Sequence, residues 1–130
     1  MKHILLATIL FAETAAAQSP MTGVEFEAYV QGKTLYYAAD ESRYGVEEYL
    51  PRRRVRWSFL DGHCKEGRWY EQANQICFVY EDNFEPQCWS FFLGSDGLTA
   101  QFENESGGQT LYEIANSGEE MLCLGPEIGV

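Results

Sequence analysis

The stretch RVRWSF at residues 54–59 sets the pattern from which the fold can be read. Apolar and polar side chains alternate along it, so Val55, Trp57 and Phe59 would share one face. A period of two is typical of a β-strand with one buried and one solvated face. The stretch therefore predicts an antiparallel strand packed against a hydrophobic core.

The same alternation recurs in three later segments of the chain. Their apolar positions are Ile76, Phe78 and Tyr80, then Trp89, Phe91 and Leu93, then Leu98, Ala100 and Phe102. Residues that alternate in this way line one face of a sheet. We expect these side chains, together with those of the first stretch, to form the core.

Short β segments separated by turn residues account for the chain beyond residue 33. We predict strands near residues 34–38, 44–50, 53–60, 64–71, 75–81, 87–93, 98–103 and 109–115. Their spacing suits an all-β antiparallel meander of about eight short strands, and such a sheet can close into a small barrel. A closed barrel and an open roll capped by an N-terminal helix both fit this pattern.

Register in the first hairpin follows from its turn. With residues 61–63 as a three-residue loop, Trp57 faces Gly67 and Val55 faces Trp69, which keeps the apolar side chains on one face. Gly67 would then make room for the Trp57 ring. A two-residue turn at 73–74 sets Trp69 opposite Phe78 in the next hairpin, again on the same face, so the two hairpins agree.

A short helix is predicted before the first strand. Thr22 followed by Glu25 forms a capping box, in which each residue satisfies a free backbone N–H group of the other. Gly32 is suited to end the helix, because glycine accepts the left-handed backbone found there. We expect the helix to cover residues 23–31.

The N-terminus has the features of a cleavable export signal. Lys2 precedes an apolar run at residues 4–11, which is too short to span a bilayer, and residues 15–17 form a small-residue cleavage site. We expect a signal peptide over 1–17 and a single domain over 18–130. The mature protein would be periplasmic or secreted.

Four cysteines, Cys64, Cys77, Cys88 and Cys123, lie in this domain without a close C-x-x-C pair. An exported chain with an even number of cysteines predicts two structural disulfides rather than a zinc or redox site. We expect Cys64–Cys88 and Cys77–Cys123, because Cys64 and Cys88 both begin strands at one end of the sheet. The pairing Cys64–Cys123 with Cys77–Cys88 stays open, since bridged Cα atoms must approach within about 7 Å and strands two apart in a flat sheet do not.

Charge is unevenly distributed along the chain. Its formal net charge is −11, and after Arg68 eleven acidic residues follow without a lysine or arginine. Such a field repels nucleic acid and anionic membranes and attracts cationic partners. The composition therefore excludes a nucleic-acid-binding role and leaves room for a cationic protein as partner. No apolar run in the domain is long enough for a membrane span.

Residues suited to catalysis or metal binding are sparse. His63 is the only histidine after the predicted signal, it sits in a turn, and no serine has a nucleophile-elbow setting. The acidic group Glu81, Asp82, Asn83 and Glu85 lacks the spacing of an EF-hand loop. We therefore expect no enzyme activity, no cofactor and no metal.

Aromatic side chains are the main indication of binding, because several converge on the predicted core face. Two arginines of the basic run at 52–56 could meet an anionic ligand group, although pairing with the domain's own acids is the more common role of such a stripe. The candidate ligand-binding residues are Trp57, Trp69, Phe78, Trp89, Arg54 and Arg56.

Three motifs carry a resemblance. The run Cys64-x-x-Gly67-Arg68-Trp69-Tyr70, the segment at 76–81 and the motif Pro86-x-Cys88-Trp89 resemble a family of small secreted proteobacterial proteins of unknown function, as do residues 25–30 and 44–51. The resemblance implies export and a periplasmic setting, and it implies nothing about mechanism.

Two functions fit these observations. The first is a non-enzymatic, disulfide-stapled barrel or roll that binds a small apolar or amphipathic ligand through an aromatic mouth. The second is an acidic protein-binding module, acting as an inhibitor or protective partner of a cationic secreted protein.

Overall fold

The computed structural model describes residues 8–10, 18–116 and 118–124. Most of the predicted export signal, residues 1–7 and 11–17, lies outside the described residues. Within the described ranges, no helix has the length and apolar character needed to cross a bilayer. The elements are α1 (Gly23–Val30), β1 (Thr34–Ala39), β2 (Ser42–Leu50), a 3₁₀ turn (Pro51–Arg53), β3 (Arg54–Ser58), β4 (Cys64–Gln72), β5 (Gln75–Tyr80), β6 (Asn83–Gly94), β7 (Gly97–Phe102) and β8 (Thr110–Ile114).

The eight strands form a closed antiparallel barrel. Each strand pairs with the next along the chain, and β1 pairs with β8 through Tyr36 and Ile114. Closure leaves no unpaired strand edge, which removes a template for aggregation. The expected all-β meander is confirmed, and the open roll is excluded.

The predicted strands match the observed ones closely, apart from β6. This strand begins at Asn83, so Asn83 and Glu85 are strand residues rather than loop residues. Pro86 lies inside β6, where the pairing with β5 is irregular between Phe78 and Tyr80. A proline cannot donate a ladder hydrogen bond, so a bulge of this kind is where a strand accommodates it.

Register is confirmed in one hairpin and wrong in the other. Trp69 lies opposite Phe78 as expected, across a two-residue turn. Trp57, however, lies opposite Lys65 rather than Gly67, because the loop after β3 covers residues 59–63 and not 61–63. The error is two residues, and a shift of two preserves the face of every side chain.

Room for the Trp57 ring comes from a different glycine than expected. A Cβ atom on Gly45 would lie 2.3 Å from a Trp57 ring carbon. A Cβ atom on Gly67 would instead meet the Val79 carbonyl oxygen at 2.4 Å and the Tyr80 ring at 2.8 Å. Gly45 therefore allows the indole to lie across β2, and Gly67 allows β5 to approach β4.

The expected disulfide pairing is wrong. The bridges are Cys64–Cys123 and Cys77–Cys88, with Cα atoms 5.1 Å and 4.0 Å apart. Cys77 lies directly opposite Cys88 on neighbouring strands. Cys64 and Cys88 are separated by β5, and two strand spacings of about 4.8 Å exceed the reach of a disulfide.

Beyond β8 the chain returns along the outside of the barrel as a C-terminal strap (residues 115–124, described except for residue 117). Glu119 accepts a hydrogen bond from the Tyr36 hydroxyl at 2.7 Å through its carbonyl oxygen, and its carboxylate pairs with Arg43. The Cys123 bridge ties the strap to Cys64 at the start of β4. It crosses the outward-facing row Tyr36, Val46, Ser58 and Cys64, of which the first three are buried.

Helix α1 plugs one end of the barrel. Its capping box between Thr22 and Glu25 is present as predicted, and the helix ends at Val30. Phe26 is fully buried, with its ring centroid 5.1 Å from that of Trp69 and 4.5 Å from that of Phe91. Burying a side chain of this size contributes several kcal/mol, so this end is a solid core.

Candidate ligand site at the open end of the barrel

The end of the barrel opposite α1 holds a cavity. Its volume is about 70 Å³, small beside the roughly 300–1,000 Å³ of pockets for drug-sized ligands. A space of this size suits the small head group of a ligand, with the rest of the ligand extending outward. The lining residues are Tyr37, Tyr44, Glu47, Tyr49, Trp57, Phe59, Lys65, Phe78, Tyr80, Gln87, Trp89, Phe91, Ala100 and Leu111.

Three of the predicted binding residues, Trp57, Phe78 and Trp89, line this cavity. Trp69 lies instead at the closed end, under Phe26. The Arg53 guanidinium stacks over its ring, 4.4 Å from the centroid. The converging aromatic face is therefore divided between a plug and a pocket, because the helix covers only one end.

The two predicted arginines lie on the outside of the barrel. Arg54 is exposed at the start of β3. Arg56 pairs with Glu48 at 3.7 Å and with Glu66 at 3.4 Å. The arginine stripe thus meets the domain's own acids on a half-exposed surface, where each pair contributes at most about 1 kcal/mol.

A buried carboxyl group at the floor of the cavity was missed by sequence reasoning. Glu47 lies opposite Trp57 on the inward face of the barrel and is 2% exposed. Its Oε1 accepts a hydrogen bond from the Tyr80 hydroxyl at 2.7 Å. Its Oε2 has no hydrogen-bond partner among the described residues.

Burial raises the pKa of Glu47 to about 8, and the weaker effect of the Tyr80 hydrogen bond acts in the opposite direction. Removing a carboxylate from water disfavours its charged form. At pH 7, about one molecule in ten would therefore carry the charge on Glu47.

Tyrosine hydroxyls surround the acid. Tyr37 and Tyr49 share a hydrogen bond of 2.8 Å between their oxygens. Burial raises the pKa of Tyr37, Tyr49 and Tyr80, and proximity to Glu47 adds to each shift. These phenols stay neutral at physiological pH, so Glu47 is the group here whose charge can change near neutrality.

The mouth of the cavity is partly apolar. Phe59 is 45% exposed and packs edge-on against Tyr44 and Trp57. Its expected place in the core is therefore only partly right, since it belongs to the rim. The ammonium of Lys65 lies 5.2 Å from the Phe59 ring centroid and 2.8 Å from an Asp82 carboxylate oxygen.

Acidic residues surround the same mouth. The four connections at this end, residues 40–41, 59–63, 81–82 and 103–109, contain seven acids and no lysine or arginine. The acids are Asp40, Glu41, Asp61, Glu81, Asp82, Glu103 and Glu105. At the opposite end, the connections at 51–53, 73–74 and 95–96 carry two arginines and one aspartate. The net negative charge that the composition indicates is thus concentrated around the cavity.

The remaining candidates lie apart from the cavity. His63 is exposed, and its backbone N–H donates to the Asp61 carboxylate at 3.0 Å. In the part of the chain that the structure describes, no group of three or more histidine, cysteine or acidic side chains is placed to hold a metal ion.

Position in β2 is the signal that could have revealed Glu47. It shares the parity of Tyr49 and Gly45, which the strand turns inward, whereas Glu48 and Val46 have the other parity. Two adjacent glutamates make the inward one ambiguous from the pattern alone.

The chain matches no family model, no curated protein and no solved structure.

Proposed function

We propose that this chain is an exported, non-enzymatic barrel protein that binds a small amphipathic molecule in the open end of the barrel. The observation that carries the proposal is the aromatic cavity with a single buried carboxyl group at its floor. Concave sites with mostly apolar walls and few polar groups are the usual form of a small-molecule site. Two disulfides support export, since such bridges persist in oxidising compartments.

The size of the cavity indicates how such a ligand would bind. A space of about 70 Å³ accepts a polar head group and a few carbons. The rest of an alkyl chain would lie against the exposed Phe59 and its neighbours at the rim. An amphipathic molecule fits this arrangement better than a fully apolar one, because a buried carboxyl group needs a polar partner.

Titration of the oxidised protein with six-carbon amphiphiles tests the proposal. Trp57 and Trp89 line the cavity, so their fluorescence should change saturably with hexan-1-ol, hexylammonium or hexanoate. Ala100→Leu fills the cavity from β7 and should abolish the change. Thr99→Leu places a leucine at the neighbouring position, which faces the outside, and should leave the change intact. If none of these amphiphiles binds saturably to the wild type or to Thr99→Leu, the proposed function is refuted.

A second candidate is supported by the acidic rim. The seven acids at the open end offer a contact surface for a cationic secreted protein. Such a complex should weaken steeply with salt, because the Debye length falls to about 10 Å at 0.1 M. Calorimetry against purified basic secreted enzymes, beginning with ribonuclease A and lysozyme, tests this. A complex unaffected by salt would count against the rim as its contact surface.

A further inference from the structure

We propose that the ligand is a small organic cation, a primary alkylammonium, whose head group pairs with Glu47 at the floor of the cavity. The inference rests on the proposed function and adds the charge and the donor chemistry of the ligand. Four observations on the described residues carry it: an unpartnered oxygen, aromatic walls, an acidic rim and the position of Lys65.

The first observation is the free oxygen of the buried acid. Glu47 Oε1 is occupied by the Tyr80 hydroxyl, and Oε2 has no partner although the residue is 2% exposed. A buried acceptor left without a hydrogen bond is costly. An ammonium N–H group is the strongest donor that could satisfy it, because the bond is then assisted by charge on both sides.

The second observation is the composition of the walls. Rings of Tyr37, Tyr44, Trp57, Tyr80 and Trp89 border the cavity. The face of an aromatic ring carries negative potential and attracts a cation placed within about 6 Å of it. The same potential would repel an anionic head group, and ionised Glu47 would repel it as well.

The third observation is the rim. Seven acids and no lysine or arginine occupy the four connections around the mouth. Charge of one sign around a cleft with low-dielectric walls raises the local concentration of oppositely charged ligands. The field outside the cavity thus selects the same sign of charge as the carboxyl group inside it.

The fourth observation concerns a cationic side chain of the protein that lines the cavity. Lys65 lines the cavity, but its ammonium pairs with the Asp82 carboxylate at 2.8 Å. Among the described ion pairs, none involves Glu47. The buried acid therefore lacks a cationic partner that a ligand could supply.

Binding of a cation should release a proton. Burial raises the pKa of Glu47 to about 8, and an ammonium beside the carboxylate favours the charged form. The other titratable groups that face it are Tyr37 from β1, Tyr44 and Tyr49 from β2, Lys65 from β4 and Tyr80 from β5. Burial raises the pKa of all four tyrosines, so they stay neutral in the range where Glu47 ionises.

The test is calorimetric titration of the oxidised protein with hexylammonium, hexan-1-ol, hexanoate and hexyltrimethylammonium. At pH 8.5 we expect hexylammonium to bind about tenfold or more tightly than hexan-1-ol, and hexanoate to bind weakest. Hexyltrimethylammonium, which has no N–H donor, should fall between the first two. Affinity for hexylammonium should rise about tenfold per pH unit from pH 6 to 8 and then level off, because only the ionised acid binds it. Affinity for hexan-1-ol should not change with pH.

Two matched variants locate the charge. Glu47→Gln should lower hexylammonium affinity to that of hexan-1-ol while hexan-1-ol still binds, which also shows that the variant is folded. Glu48→Gln removes the same charge from the outward face of the same strand and should keep the preference. Should Glu47→Gln not fold, the ¹³C chemical shift of the wild-type Glu47 carboxyl group gives the answer, since hexylammonium should lower its apparent pKa.

Distinct outcomes separate the two proposals. Equal or tighter binding of hexan-1-ol or hexanoate, or a preference for hexylammonium that survives Glu47→Gln, overturns the cation inference and leaves the binding barrel standing. Absence of saturable binding by all four probes overturns the proposed function and this inference together.

Discussion

The two ends of the barrel are built from the same alternating pattern and differ in what fills them. At the closed end, Phe26 from α1 fills the space between Trp69 and Phe91 and is 0% exposed. At the open end no helix of the described residues enters, and the aromatic rings border a cavity with Glu47 at its floor. The comparison indicates that the side chains are fully packed at one end and border a cavity at the other.

The pKa values of two acids at the two ends are shifted in opposite directions, so pH affects the stability of the two ends differently. Hydrogen bonds with Thr22 lower the pKa of Glu25 at the start of the helix. Burial raises the pKa of Glu47 in the cavity. The first acid contributes stability above its unfolded pKa and loses it as the pH falls, whereas the second is best accommodated with its proton and destabilises the fold as the pH rises.

Truncation of the plug should have the largest effect. Phe26→Ala is expected to reduce the free energy of unfolding by about 4 kcal/mol, because it removes a fully buried ring and leaves a cavity under the helix. Urea denaturation followed by circular dichroism measures this loss. A decrease below about 1 kcal/mol would mean that the closed end is not the stable part of the barrel.

Neutralising the cavity acid should stabilise the folded protein. Burial raises the pKa of Glu47 from 4.5 to about 8, so unfolding of the wild type releases a proton and its stability declines by about 1.4 kcal/mol per pH unit across that range. Glu47→Gln removes this decline and should increase the free energy of unfolding at pH 7 by on the order of 3 kcal/mol.

The measurement is the difference in unfolding free energy between wild type and Glu47→Gln at pH 5, 6, 7 and 8. The difference should be small at pH 5 and grow with pH. Glu48→Gln, on the outward face, serves as control and should show no such growth. A constant difference across this range would contradict the elevated pKa.

Removing the helix cap should have a smaller effect. The Thr22 side chain accepts a hydrogen bond from the Glu25 backbone N–H at 3.2 Å, and the Glu25 carboxylate accepts one from the Thr22 backbone N–H at 3.0 Å. Thr22→Ala is expected to reduce stability by about 1 kcal/mol. Thr22→Ser keeps the hydroxyl and should retain most of the stability that the cap contributes. Thermal melts of the two variants measure this difference.

Truncation at the rim should have the smallest effect on folding. Phe59 is 45% exposed, so Phe59→Ala is expected to reduce the free energy of unfolding by less than about 1 kcal/mol. The same change should weaken binding of six-carbon amphiphiles several-fold, because the ring lines the mouth. Equal losses from Phe59→Ala and Phe26→Ala in urea denaturation would remove the distinction between the ends.

Sequence reasoning succeeded where local chemistry determines the structure. The capping box at Thr22 and the turn at 73–74 depend on neighbouring residues, and both are present. The longer loop at 59–63 has positive φ at Leu60 as well as Gly62, which the residue types do not indicate. The register of β3 and β4 was therefore wrong by two residues, although the faces were right.

Pairing of the cysteines and the role of Glu47 depend on neighbours that are distant in sequence. The strap carries Cys123 back along the outside of β1 to reach Cys64, 59 residues earlier. Glu47 faces Tyr80 and Trp57 only because the strands between them are in register. The first relation leaves no local pattern, and the pattern of β2 does not by itself distinguish Glu47 from Glu48, which explains why the first was predicted wrongly and the second was missed.

The amino-acid sequence by itself determined the alternating strands, the capped helix, the acidic surface and the presence of four cysteines, since each depends on residue type and short spacing. Tertiary structure decided that the sheet closes, which end the helix fills and which glutamate is buried. Closure places β8 beside β1, and α1, the one α-helix of the described residues, fills one of the two ends of the barrel. A filled core and an open cavity with a buried acid follow from that geometry.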